Sequence, residues 1–212
     1  MANKTNDRPR LTAKGERVRG RIVEGAAALI HERGVAGTTL EDVKGAAEVS
    51  GSQLYHYFPD KNELLQAVID YQAETLVNHN RQALNSEDGV EAWRNMLIAG
   101  VKHGQAKGGC PLGSLGGQLA ESDPEARALI AAGFERWSTA ISDGLRSLHA
   151  DGKLAPGIDL DDLATTMLAT LQGGLLLAQV QRSTRPFEVA VDTVLALAIQ
   201  TCDPDGAPCL RT

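Results

Sequence analysis

The stretch SGSQLYHYFPDKNELL, Ser50 to Leu65, decides how the rest of the chain is read. The whole sequence holds only two Trp, three Tyr and three Phe, yet Tyr55, Tyr57 and Phe58 crowd around His56. Ser50 followed three residues later by Gln53 is the S-x-x-Q form of the capping box, so a short helix starts at Ser50. Pro59 disfavours helical geometry at the residue before it, which ends that helix by Phe58. Asp60 then caps a longer helix running through Leu64, Leu65, Val68, Ile69, Leu76 and Val77.

Toward the N-terminus, Val18, Ile22, Ala26 and Leu29 recur at helical spacing, and Gly34 follows His31 and Arg33, which predicts a helix over about 13–33. Leu40, Val43 and Ala47 predict a second, short helix over about 39–47. Its cap is either Thr39 with Asp42 or Thr38 in a capping box with Glu41. Two short helices joined by a tight turn, with Val49 as the turn's apolar anchor and the small Ala46 and Ala47 where they cross, match a helix-turn-helix. Its second helix suits a major groove about 12 Å wide. The exposed set would be Ser50, Ser52, Gln53, Tyr55, His56 and Tyr57, all of which can donate hydrogen bonds. Spacing alone leaves open the plainer reading, a helical corner whose aromatics fill gaps.

Charge favours the DNA reader. Residues 1–61 carry ten Lys/Arg against eight Asp/Glu, while the remaining 151 carry eleven against nineteen, so a net −6 hides a basic head and an acidic body. Seven of the basic residues, Lys4, Arg8, Arg10, Lys14, Arg17, Arg19 and Arg21, lie in the first 21. Such a head can meet a polyanion.

The remainder predicts helices over about 88–107, 123–150, 159–181 and 186–200, with a Gly-rich break before a short helix through Leu115 to Ala120. Pro124 and Pro186 fall where a first helical turn accepts proline. No alternating strand pattern and no internal repeat occurs. The expected fold is all-α, with a basic arm and helix-turn-helix domain over 1–60, a helical ligand-binding and dimerisation domain over 61–200, and a flexible tail over 201–212. The sequence has no uninterrupted apolar run of about 18 residues and no secretory signal, and three sparse cysteines, Cys110, Cys202 and Cys209, suit a reducing compartment. A cytoplasmic protein with no membrane partner is expected.

The string GVAGTTLEDVKGAAEVSGSQLYHYFPDKNELLQAVI, Gly34 to Ile69, resembles the DNA-binding domain of TetR-family transcriptional regulators. The resemblance rests on Thr39, on Val49-Ser50, on Leu54-Tyr55-His56-Tyr57-Phe58 and on Lys61. It implies phosphate contacts from Thr39, Ser50, Tyr55, Tyr57 and Lys61, base or groove contacts from Ser52, Gln53 and His56, and a core role for Leu54 and Phe58. It also implies a homodimer that reads palindromic double-stranded operator DNA, most commonly as a repressor, and that responds to a small-molecule effector. Two departures stand out: Glu48 where the family often has Gly, and Gly51-Ser52 where it often has Lys-Gly. The recognition helix thus lacks a cation of its own, so the arm around Arg8 and Arg10 is expected to supply attraction that falls with salt.

For the effector, Trp93, Met96 and Leu97 share one helical face and Phe134, Trp137 and Ile141 another; His103, Cys110 and Leu171 complete the candidate pocket. Core packing explains each of these equally well. The GCPLG stretch from Gly109 is similar to one in the family branch with multidrug- and flavonoid-responsive repressors. Cys110 reads either as a pocket lining or as a reactive thiol near His103 and Lys107. The last two helices are too apolar to be covered from one side, and Gly173-Gly174 permits close helix approach; an interface of two helices from each subunit explains the surplus. Motifs argue against an enzyme: GSLGG from Gly113 is neither a nucleophile elbow nor a phosphate loop, and no H-E-x-x-H occurs. Neither a cofactor nor a metal site is readable, since Cys202 and Cys209 have no histidine nearby.

Overall fold

The computed structural model describes residues 11–86, 88–154 and 157–199. Among these the chain forms helices and no strand: α1 (Ala13–Arg33), α2 (Leu40–Ala47), α3 (Gly51–Tyr57), α4 (Lys61–Leu84), α5 (Gly89–His103), α6 (Pro111–Leu119), α7 (Pro124–Ala150), α8 (Leu160–Gln181) and α9 (Arg185–Ala198). The chain divides into two compact units, Met1–Val68 and Ile69–Thr212. The division falls inside α4, whereas the sequence suggested a boundary at its start, because Leu64, Leu65 and Val68 on the first turns of α4 are buried residues of the first unit.

In the first unit α1 packs on α2 and α2 on α3. Ile22, Ala26 and Ile30 of α1, Val43 of α2, and Leu54 and Phe58 around α3 are buried, each large one contributing roughly 1.5–3 kcal/mol by leaving water. The α1 N-cap is Thr12, whose Oγ1 accepts from Gly15 N at 3.2 Å. Gly34 ends the helix at φ 77°, a conformation that glycine adopts without strain. Thr39 with Asp42, rather than Thr38 with Glu41, forms the capping box of α2. Thr38 instead is buried and donates its hydroxyl to Gly34 O at 2.9 Å.

In the second unit α8 pairs most extensively with α9 and with α7, α6 lies on α7, and α5 touches α9. Glycines set three of the close approaches. A Cβ on Gly174 would stand 3.0 Å from Phe187 Cδ2, one on Gly133 3.0 Å from Ala73 Cβ, and one on Gly144 2.8 Å from Leu84 Cβ. Gly173, by contrast, has open space around it.

Two expectations need correction. Helix α5 stops at His103, because Gln105 and Ala106 adopt positive φ of 53° and 52°. Helix α6 then begins at Pro111 instead of Leu115: Cys110 Sγ accepts from Gly113 N at 3.3 Å and caps the turn, and Pro111 occupies a position where the missing N–H costs nothing. Gly108 and Gly109, at positive φ of 78° and 65°, do form the break, whereas Gly113, Gly116 and Gly117 lie within the helix.

Helix α8 is long and apolar enough to cross a membrane by length and composition. Its inward residues Leu163, Met167, Leu171 and Ala178 are buried, and the surplus forms an outer strip with α9: Leu176, Leu177, Val180, Val189 and Leu197, of which Val180 is 72% and Leu197 70% exposed.

Candidate nucleic-acid interface and ligand cavity

The recognition element is α3, and both its ends are set by sequence. Gln53 N donates to Ser50 Oγ at 3.2 Å, and Ser50 N donates back to Gln53 Oε1 at 3.0 Å. Phe58, held in the extended region before Pro59, closes the other end and is buried, as is Leu54. Burying these two turns Ser52, Gln53, Tyr55 and His56 outward, with Tyr55 58% exposed. Gln53 has a double role: its carbonyl oxygen belongs to the cap, leaving the amide nitrogen as the group free to read a base edge. Tyr57 is half-buried, with its ring edge against His56 at 5.0 Å between centroids. Its hydroxyl lies against the first turn of α1, 3.3 Å from where a Cβ on Gly15 would be.

The expected phosphate ligands differ in availability. The Thr39 hydroxyl donates to the Asp42 carboxylate, and this bond, with a second from the Thr39 backbone N–H, holds the Asp42 pKa below the usual carboxylate value. Lys61 donates to two backbone carbonyls, Val35 O at 2.7 Å and Thr38 O at 2.6 Å. It ties the start of α4 to the α1–α2 loop and keeps one of three ammonium protons for another partner. Arg33 and Lys44 face acids, Asp42 and Glu41 respectively, and the Arg19 guanidinium lies over the Phe58 ring at 5.1 Å. That leaves Lys14, Arg17 and Arg21, which line a surface groove on α1 and form no ion pair with any described residue. Sequence reasoning counted these three in the basic head but placed the attraction on Arg8 and Arg10, which lie outside the described residues; the spacing of three and four residues was the signal for the strip.

Glu48 takes the left-handed conformation, φ 52° and ψ 48°, at the position where the family often has glycine. His31, near the end of α1, has its pKa lowered by burial, and its Nδ1 has no hydrogen-bond partner.

The second unit holds a partly open cavity of about 190 Å³. Of the residues expected to form a pocket, Met96, Leu97, Cys110 and Trp137 line it. Trp93 stands behind the wall, donating its indole N–H to Oδ1 of the lining residue Asn80 at 2.6 Å. Phe134 stacks on Trp137 with centroids 6.4 Å apart, outside the lining. Ile141 and Leu171 are buried core that does not reach the cavity, and His103 is exposed and away from it. Leu76, His79, Asn80, Lys107, Leu175 and Phe187 join the lining without having been anticipated. The signal for His79 and Asn80 was a polar pair interrupting the apolar pattern of α4. Burial pushes the Cys110 thiol pKa up, which favours the neutral thiol that caps α6.

Comparison with known proteins agrees with this arrangement. Residues 22–68 match the family described as bacterial regulatory proteins, tetR family, and residues 87–194 match the tetracyclin repressor-like C-terminal domain. An uncharacterised HTH-type transcriptional regulator of Mycobacterium tuberculosis is 30% identical over 184 residues, covering 81% of this chain and 89% of that one. The HTH-type transcriptional repressor DhaR of Mycobacterium sp. is 24% identical over 175 residues, covering 81% and 87%. Among solved structures, a TetR transcriptional regulator from Chloroflexus aurantiacus is 26% identical with a TM-score of 0.73, covering 87% of this chain and 95% of that one. With these matches over both units, a capped, outward-facing α3 in the one and a partly open cavity in the other, the chain belongs to the TetR family and is a DNA-binding transcriptional regulator.

Proposed function

We propose that the protein is a cytoplasmic repressor that binds a two-fold operator as a homodimer and leaves it when a small lipophilic effector occupies the second unit. The observation that carries this reading is the pairing of an outward polar face on α3 with a separate, mostly apolar cavity. Ser52, Gln53 and His56 meet base edges, while Ser50, Tyr55, Tyr57 and Lys61 hold phosphates. The dimer uses the outer faces of α8 and α9, where exposed apolar side chains have no cover among the described residues.

A mobility-shift titration with duplex DNA from the chain's own promoter tests the first half. A shift reversed by a compound that also raises the melting temperature supports the reading; a ligand-stabilised protein that never shifts promoter DNA overturns it. Light scattering tests the dimer: Leu176→Glu/Val180→Glu is expected to give monomers, and a dimer unchanged by that pair of charges refutes the assigned interface.

A further inference from the structure

The wall and the rim of the cavity differ in chemistry. Leu76, Met96, Leu97 and Phe187 make the wall apolar, and no acidic residue is among the described residues that line the cavity. Lys107 is the cation among the described lining residues, and His79 adds a polar ring. Lys107 Nζ bonds only the neutral Gln105 Oε1, at 3.0 Å, and the nearby Arg182 bonds the carbonyl of Ala106, at 3.4 Å. Elsewhere in this unit Arg94, Lys102 and Arg136 face the carboxylates of Asp192, Glu188 and Asp70. Lys107 is thus a cation at the cavity with no acidic partner among the described residues, in the acidic part of the chain, and it favours anions. Two further features agree in sign. The N-terminal turn of α6, Cys110 and Pro111, borders the cavity and brings the positive end of a nine-residue helix to it. The Trp137 ring also borders it, and the buried indole N–H, which can only donate, has no acceptor.

We infer that the effector class is a small aromatic carboxylate with a single ring. The ring lies against the apolar wall, the carboxylate meets the rim at Lys107, and the Trp137 N–H serves a ligand oxygen. The volume fits, since an apolar cavity of about 150 Å³ already admits benzene. This rests on the cavity being the effector site, and it narrows that reading by excluding organic cations.

The test compares three nearly isosteric probes, benzoate, benzamide and benzylammonium, by tryptophan fluorescence and thermal shift on the full-length protein. Benzoate is expected to bind at least about tenfold more tightly than benzylammonium. Lys107→Met, an exposed change, should erase most of the advantage of benzoate over benzamide while leaving benzamide unchanged. Trp137→Phe should weaken benzoate and benzamide by about fivefold each. Benzylammonium binding as tightly as benzoate, or a benzoate advantage that survives Lys107→Met, overturns the inference. So does the absence of any response to benzoate. The same probes added to the operator complex separate the two claims. Benzoate that binds without releasing DNA counts against the effector reading alone; a cation that binds and releases DNA counts against the ligand class alone.

Discussion

The indole N–H of Trp93 donates to Oδ1 of Asn80 across 2.6 Å, with both side chains almost wholly buried. Asn80 Nδ2 is satisfied by Leu76 O at 2.7 Å, so the pair is complete, and it holds α5 against the cavity-lining face of α4. Trp93→Phe leaves Oδ1 buried with no donor and is expected to cost about 1–3 kcal/mol in urea unfolding. Adding Asn80→Leu removes the orphaned acceptor and should recover part of the loss. A double variant as unstable as the sum of the singles contradicts this account.

Gln53 separates capping from reading. Glutamate at this position keeps the capping box, so Gln53→Glu should leave the melting temperature nearly unchanged. It also puts a negative charge where the amide nitrogen would approach DNA, and operator affinity should fall by more than about tenfold at low salt. Equal affinity for the two proteins would show that Gln53 is a cap and nothing more.

Glu48 is strained by its left-handed backbone at a cost of roughly 1–2 kcal/mol, which glycine relieves at an unfolded-state cost of about 0.5–1 kcal/mol. Glu48→Gly is therefore expected to stabilise the protein by about 0.5 kcal/mol and, by removing an acid from the turn, to tighten DNA binding. A lower denaturation midpoint would rule out the strain argument.

The α1 strip and Lys61 differ in their stability signatures. Each lost phosphate contact lowers the slope of log affinity against log salt by about 0.9, so Arg17→Ala/Arg21→Ala should flatten the slope and leave stability alone. Lys61→Met should flatten the slope as well but also lower stability, because it unties Val35 O and Thr38 O from α4. If the arginine pair leaves the slope unchanged, the attraction comes from elsewhere.

His31 gives the pH dependence a sign. Its folded pKa lies below the ordinary histidine value of 6.5, so the unfolded chain takes up the proton first as pH falls. The stability it contributes is complete above 6.5 and is lost as pH drops through that value toward the folded one. Melting scans from pH 8 to pH 5, a span of about three units around an ordinary histidine pKa, should show a decline that His31→Gln reduces. Identical profiles would remove His31 from the explanation.

Local signals were enough for the all-α fold and the recognition helix. Ser50 with Gln53, Pro59 after Phe58 and Gly34 after Arg33 act within one turn, so a linear reading reaches them, while the α2 cap stayed open between Thr39 and Thr38 until the structure chose Thr39. The face of α3 followed, since burying Leu54 and Phe58 leaves only one way for Tyr55 and His56 to point. The start of α6 was missed because a cysteine cap is not a common sequence signal, and the glycines outweighed it.

What the tertiary structure alone decided is where non-neighbouring residues meet. Periodicity put Trp93, Met96 and Leu97 on one face, but only packing moved Trp93 behind Asn80 and left the other two on the cavity. Phe134 and Ile141 were indistinguishable from Trp137 in sequence, because helical spacing fixes a direction and not how far the facing helix stands away. Lys61 looked free for phosphate until the α1–α2 loop brought two carbonyls to it. The amino-acid order by itself determined most of the helices, the capping box of α3 and the charge of the head; distance between elements, which no local rule encodes, decided the cavity, its lining and which cations stay unpaired among the described residues.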